Sequence, residues 1–110
     1  MYVKVCNKDE LWEGGAVMGA AAGHRIIVVW PTGGEPLALH GICPHRGVPL
    51  DGADLKGTAL TCPQHLWTFD CLTGESLDPP GSALARYPMK IEDGAVFVDT
   101  EGVTPVMSDV

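Results

Sequence analysis

Two short stretches decide how this chain is read: Cys43-Pro44-His45-Arg46-Gly47 and, after a gap of sixteen residues past His45, Cys62-Pro63-Gln64-His65. Each sets one thiol and one imidazole on a short, proline-bearing turn. A thiolate is a soft anionic donor and a neutral imidazole a borderline one, so each turn offers a metal two donors of different character. A single C-x-H would carry little weight. Two mixed pairs at this spacing describe one four-donor site brought together from two loops.

Two metal centres use these atoms. A structural zinc site of the Cys₂His₂ kind would need the same four side chains, but its ligands usually pair like with like, as C-x₂₋₄-C and H-x₃₋₅-H. An iron–sulfur cluster suits the mixed pairs better. Thiolates stabilise ferric iron bridged by sulfide, while neutral imidazoles remove negative charge and raise the potential.

Outward from the two loops, glycine and proline divide the chain into strand-length pieces, which points to an all-β domain. Val3 to Cys6 reads as a first strand, and Asn7 as the cap of a brief helical turn over Lys8 to Leu11. Ala16 to Ala21 and Arg25 to Trp30 read as paired strands, followed by a turn and a strand over Pro36 to His40. The stretch from Gly41 to Asp54 reads as a loop without regular ladders. Thr58 to Cys62 and Thr68 to Cys71 flank the second loop. Residues 73 to 82 read as a turn followed by a stiff proline segment. Leu84 to Ile91 and Ala95 to Asp99 meet at Glu92-Asp93-Gly94, a hairpin signal. The expected architecture is two packed antiparallel sheets plus a small inserted subdomain, about 41–82, that carries both loops. One domain spans 1–110, with a loose tail at about 103–110.

Composition narrows the function. The chain has 110 residues, 45% of them hydrophobic, enough for one ordinary core. No apolar run is long enough to cross a bilayer and no leader pattern opens the chain, so the expectation is a cytoplasmic protein with no membrane partner. Fourteen acids against seven bases leave a net charge of −7, which disfavours nucleic acid and suits steering towards basic protein surfaces. No nucleophilic triad and no G-x-G-x-x-G fingerprint is present, so independent catalysis is not expected.

The segment Cys43 to Trp67, with Pro44, Arg46-Gly47, Leu50, Gly52 and Pro63, resembles the signature of the Rieske [2Fe–2S] family, and Thr68-Phe69-Asp70 and Gly74 extend it. Further likeness in His65-Leu66-Trp67-Thr68-Phe69, Tyr87-Pro88 and Val96-Phe97-Val98 is to the ferredoxins of toluene-type multicomponent diiron monooxygenases. The resemblance implies a Rieske fold and one [2Fe–2S] cluster, with Cys43 and Cys62 on one iron and His45 and His65 on the other. It implies a monomeric electron carrier between a flavin-containing NADH reductase and a diiron hydroxylase. Ferredoxins of ring-hydroxylating dioxygenases and small subunits of nitrite reductases share the same loops. A structural zinc-binding interaction module is the reading from another class.

The resemblance also bears on the potential. High-potential relatives carry a disulfide between the loops at positions held here by Val48 and Gln64, and hydroxyls near the cluster at positions held by Trp67 and Phe69. Without those donors the potential is expected towards the low end of the Rieske range. Pro44, Val48, Pro49, Leu66 and Trp67 are expected to form an apolar collar around the histidine tip, with Arg46, Gly47 and Gln64 beside the cluster and Pro80 in a third, shielding loop. Cys6 and Cys71 read as small core residues, Trp12 and Trp30 as core aromatics, and His24 and His40 as satisfied structural or surface histidines.

Overall fold

The structure is a computed structural model, and it describes residues 2–21, 23–43, 48–50, 53–62, 67–78 and 83–101, the side chains of residues 43, 48, 49 and 78 apart. Strand β3 (His24–Val29) explains the rest of the architecture. Its run Ile26-Ile27-Val28-Val29 is buried throughout, although side chains along a strand alternate between two faces. A strand can be apolar on both faces only when each face meets a core. Ile26 and Val28 enter one apolar cluster, and Ile27 and Val29 enter another. The neighbouring β4 (Leu37–His40) repeats the pattern, with Ala38 facing the first cluster and Leu39 the second. Each fully buried Ile, Val or Leu contributes about 1.5–3 kcal/mol.

The first cluster fills a barrel-like shell. β1 (Tyr2–Asn7) pairs with β13 (Ala95–Asp99), and β13 pairs with β12 (Met89–Glu92). Against this three-stranded sheet stands a four-stranded one, ordered β11 (Arg86–Tyr87), β4, β3 and β2 (Ala16–Ala21). All of these pairings are antiparallel. Cys6, Leu11, Tyr87, Val96 and Val98 join Ile26, Val28 and Ala38 inside.

The second cluster joins this shell to an inserted sheet. Between β4 and β11 in sequence lie β7 (Asp54–Lys56), β8 (Ala59–Thr61), β9 (Thr68–Asp70) and β10 (Ser76–Asp78), paired in the order β10-β9-β8-β7. Leu50, Leu60, Cys62, Phe69, Cys71 and Leu84 pack from this side against Ile27, Val29 and Leu39. The all-β expectation of antiparallel sheets with an insertion agrees with this arrangement.

Several local readings are corrected. The stretch Leu84 to Ile91 is two strands, because Pro88 has no N–H for a ladder; β11 before it joins one sheet and β12 after it joins another. The segment Gly41 to Asp54 does contain a ladder, formed by β5 (Ile42–Cys43) and β6 (Val48–Pro49). The strands β7 and β10 were not anticipated. The helical turn is a 3₁₀ turn over Lys8–Glu10, held where the Glu10 carboxylate accepts from the Asn7 N–H at 2.6 Å. The hairpin at Asp93-Gly94 has positive φ at both positions, 51° and 74°, which is the turn geometry that matches strand twist. Trp12 is no core residue: it is 57% exposed, its ring lying across the backbone of Gly15. Trp30 is half-buried and packs against the barrel core, with its indole N–H donating to the Gly34 carbonyl at 3.0 Å. The tail at 103–110 lies outside the described residues.

Candidate metal centre

Both candidate loops are closed at their bases by backbone contacts of the same span. In the first, Cys43 stands opposite Val48 at the end of the β5–β6 ladder. In the second, the N–H of Cys62 donates to the carbonyl of Trp67 at 2.7 Å, next to the Thr61–Thr68 pair of β8 and β9. Each loop therefore opens on a cysteine and closes five residues later, with four residues between.

The loops grow from fixed ground. At the foot of the first, the Gly41 N–H donates to the Arg25 carbonyl and the Gly41 carbonyl accepts from Leu50, both at 2.8 Å. Leu50 is fully buried in the second core cluster and anchors the far side of that loop. At the foot of the second, Cys62 is fully buried among Leu60, Phe69 and Leu50, and its thiol is free. Trp67 is half-buried against the same cluster, its ring centroid 6.4 Å from that of Phe69.

A third segment is closed at its base. Glu75 bridges Ala83, the Leu84 N–H donates to the Gly74 carbonyl at 2.6 Å, and the Gly74 N–H donates to the Asp70 carbonyl at 2.6 Å. Gly74 has φ +85°, and a Cβ there would stand 2.2 Å from the Leu84 carbonyl oxygen, so only glycine allows this clasp. The clasp closes the base of the segment that contains Pro80.

Cys62 is the one predicted ligand whose side chain is among the described residues; Cys43 is placed by its backbone. His45, His65, Pro44, Arg46, Gly47, Gln64, Leu66 and Pro80 lie outside the described residues, as does the side chain of Val48. What is described fits a soft, multi-thiolate centre. A free thiol sits at the mouth of a closed hairpin in dry surroundings, and a second cysteine occupies the matching position of a matching hairpin. Cys6 and Cys71 are buried core thiols, Cys6 in the barrel cluster and Cys71 in the same cluster as Cys62. Burial pushes the Cys71 thiol up, and the nearby Asp70 charge adds to this; burial followed by the Glu10 charge does the same for Cys6.

One polar site escaped the sequence reading. The sequence reading takes His40 as satisfied, yet it is 7% exposed and among the described residues its Nδ1 has no hydrogen-bond partner; the Tyr87 hydroxyl, on a residue 5% exposed, has none there either. Strand alternation was the available signal, since it sets His40 on the Ala38 side of β4, towards the barrel core.

The profile of the Rieske [2Fe-2S] domain matches residues 1–88. The chain belongs to the Rieske [2Fe–2S] family. With that membership comes a single [2Fe–2S] cluster as the resident group. Among relatives of this Rieske chain, the ferredoxin component of the alkene monooxygenase system of Xanthobacter autotrophicus is 35% identical over 101 residues, covering 91% of this chain and 82% of that one. The ferredoxin component of the naphthalene 1,2-dioxygenase system of Pseudomonas putida is 30% identical over 86 residues, 77% of this chain and 83% of that one. In structure, the Sphingomonas yanoikuyae B1 ferredoxin superposes with a TM-score of 0.78 at 27% identity, covering 90% of this chain and 98% of that one. These relatives are ferredoxins, electron-transfer components rather than catalysts. Among the described residues of this Rieske protein, no helix is long and apolar enough to cross a membrane.

Proposed function

We propose that this ferredoxin holds its cluster on Cys43, His45, Cys62 and His65 and carries single electrons from a flavin-containing NADH reductase to the diiron hydroxylase of a multicomponent aromatic or alkene monooxygenase. The observation that carries this reading is the pair of equal-span loops, each opening on a cysteine, in a chain 35% identical to an alkene monooxygenase ferredoxin. When bound, the cluster supplies one reversible electron at a potential set by its ligands and surroundings.

The chain's own residues have three tasks in this reading. Cys43 and Cys62 hold the sulfur-ligated iron, and His45 and His65 hold the other towards the protein surface. Leu50, Phe69 and Trp67 keep water from the inner side, which fixes the dielectric the added charge meets. Pro44, Val48, Pro49, Leu66 and Trp67 form the apolar rim on which partners dock, with Arg46, Gly47, Gln64 and Pro80 at its edge. A small rim suits brief encounters, since weak redox complexes bury less than about 1,200 Å². The carrier acts as a monomer in the cytoplasm.

A second reading has specific support in the naphthalene dioxygenase relative: delivery to the oxygenase of a ring-hydroxylating dioxygenase. Reconstitution separates the two. The purified protein, a reductase and NADH are combined with either a diiron hydroxylase or a Rieske dioxygenase. Turnover that depends on this protein with the first alone supports the main reading; turnover with the dioxygenase alone replaces it.

A further inference from the structure

His40, Tyr87 and His24 form a polar corner in an otherwise apolar barrel. The His40 and Tyr87 rings meet edge-on with centroids 6.5 Å apart, and Tyr87 meets the half-buried His24 ring at 6.2 Å. The corner lies where β4 ends and the chain turns into Gly41, Ile42 and Cys43. His40 is in register with Ile26, and its N–H donates to the Ala85 carbonyl at 2.8 Å; the Gly41 N–H donates to Arg25. These two bonds fasten the chain to the barrel sheet just before the β5–β6 stem of the first cluster loop.

A neutral imidazole can sit here, since a single unpaired nitrogen costs only the desolvation of one polar atom. An imidazolium cannot do so as easily. Its Nδ1–H would be a charged donor with no hydrogen-bond partner among the described residues, and burying an unpaired charge costs far more. The groups facing His40 give no relief. From β3 it meets His24, which repels it when charged; from β11 it meets the Tyr87 phenol; β1 contributes Cys6 to the same core, a thiol that burial keeps protonated. Arg25 and Arg86, on the same two neighbouring strands, are exposed.

We propose that this corner is an acid-sensitive latch: protonation of His40 releases the end of β4, and with it the foot of the loop that starts at Cys43. Desolvation first, and His24 second, lower the basicity of His40 below the ordinary 6.5, in keeping with the geometry. The sign follows. The unfolded or opened chain takes up a proton near pH 6.5 and the closed chain does not, so closure is at full strength above 6.5 and weakens as pH falls towards the lowered folded value. One proton of difference allows the opening constant to rise up to about tenfold per pH unit.

Backbone amide exchange of the cluster-loaded protein, measured residue by residue between pH 7.5 and 5.0 and corrected for the intrinsic rate, tests the latch without electron transfer or partners. The expected result is an opening constant at His40 and Gly41 that stays level above pH 6.5 and rises by up to about tenfold per unit below it. In His40→Leu the rise should vanish, while Tyr87→Phe should keep it. His40→Gln, polar but unable to titrate in this range, serves if the leucine variant does not fold. A level profile in the native protein, or the same rise in the His40 variants, overturns the proposal; neither result touches the electron-carrier reading.

Discussion

The amide of Cys62 bonds to the carbonyl of Trp67 at 2.7 Å, so the residue that begins the second loop is tied to the one that ends it. Both then lie against a single core, Cys62 fully buried and Trp67 half-buried. A thiol held there approaches a cluster with little freedom left to lose. Cys62→Ser replaces it with a hard, neutral donor of nearly the same size, so the fold should survive and the cluster should not. Iron and acid-labile sulfide, near equal in the native protein, should both fall sharply in the variant while the far-ultraviolet spectrum is kept. Retention of the native visible and EPR spectra would remove Cys62 from the ligand set. His65→Cys tests the other iron: it should shift the spectrum away from the mixed-ligand form.

The Gly74 clasp is predicted to matter more than other turn glycines. Gly23 also has positive φ, +81°, but nothing stands within 4 Å of where its Cβ would be. Gly23→Ala should therefore cost only the left-handed penalty, about 1–2 kcal/mol. Gly74→Ala meets the Leu84 carbonyl as well and must break the bond that closes the third segment. Thermal unfolding should show Gly23→Ala lowering Tm by roughly 5–10 °C and Gly74→Ala by clearly more. Equal shifts would show that the clasp yields without cost.

Much of this was legible beforehand, for a physical reason. Metal ligands need fixed residue types at short spacings, so the proposed set of Cys43, His45, Cys62 and His65 stands out without help from tertiary structure. The Ile26 to Val29 run was readable as a strand because β-branched residues crowd together there. What was hidden depends on tertiary context. Pro88 divides one apolar stretch between two sheets, and β5 and β6, two residues each, are too short to leave a periodic signal. A tryptophan in a glycine-rich turn reads as core, yet Trp12 covers Gly15 from outside. The unpaired His40 nitrogen could not be foreseen, because strand alternation places the ring but does not tell what it meets.

The potential should be low for a Rieske centre. Val48 and Gln64 provide no disulfide between the loops, and Trp67 and Phe69 offer no hydroxyl to the cluster sulfurs. With fewer donors to stabilise the added electron, the midpoint is expected at roughly −150 mV. A protein-film or dye-mediated titration measures it directly. A midpoint well above zero would mean that other donors supply what these positions lack.

Electron delivery should slow as salt is added. The net charge of −7 sets up attraction to basic partner surfaces, and a Debye length that falls from about 10 Å at 0.1 M to about 3 Å at 1 M removes most of it. Raising ionic strength should therefore raise the ferredoxin concentration needed for half-maximal hydroxylase turnover, with little change at saturation. Turnover indifferent to salt would leave the charge with solubility as its role.

The buried thiols provide the last test. Burial and the Asp70 carboxylate both hold Cys71 in its neutral form, and burial and Glu10 do the same for Cys6. Because the thiolate is the nucleophile, both should resist alkylation at pH 8 by two separate means, lack of access and lack of charge. Iodoacetamide followed by mass analysis should leave Cys6 and Cys71 unmodified in the folded, cluster-loaded protein, and label both in denaturant. Cys6 is 7% exposed and Cys71 not at all, so mild destabilisation should expose Cys6 to labelling first. Rapid labelling of Cys71 in the native state would contradict its place between the inserted sheet and the barrel wall.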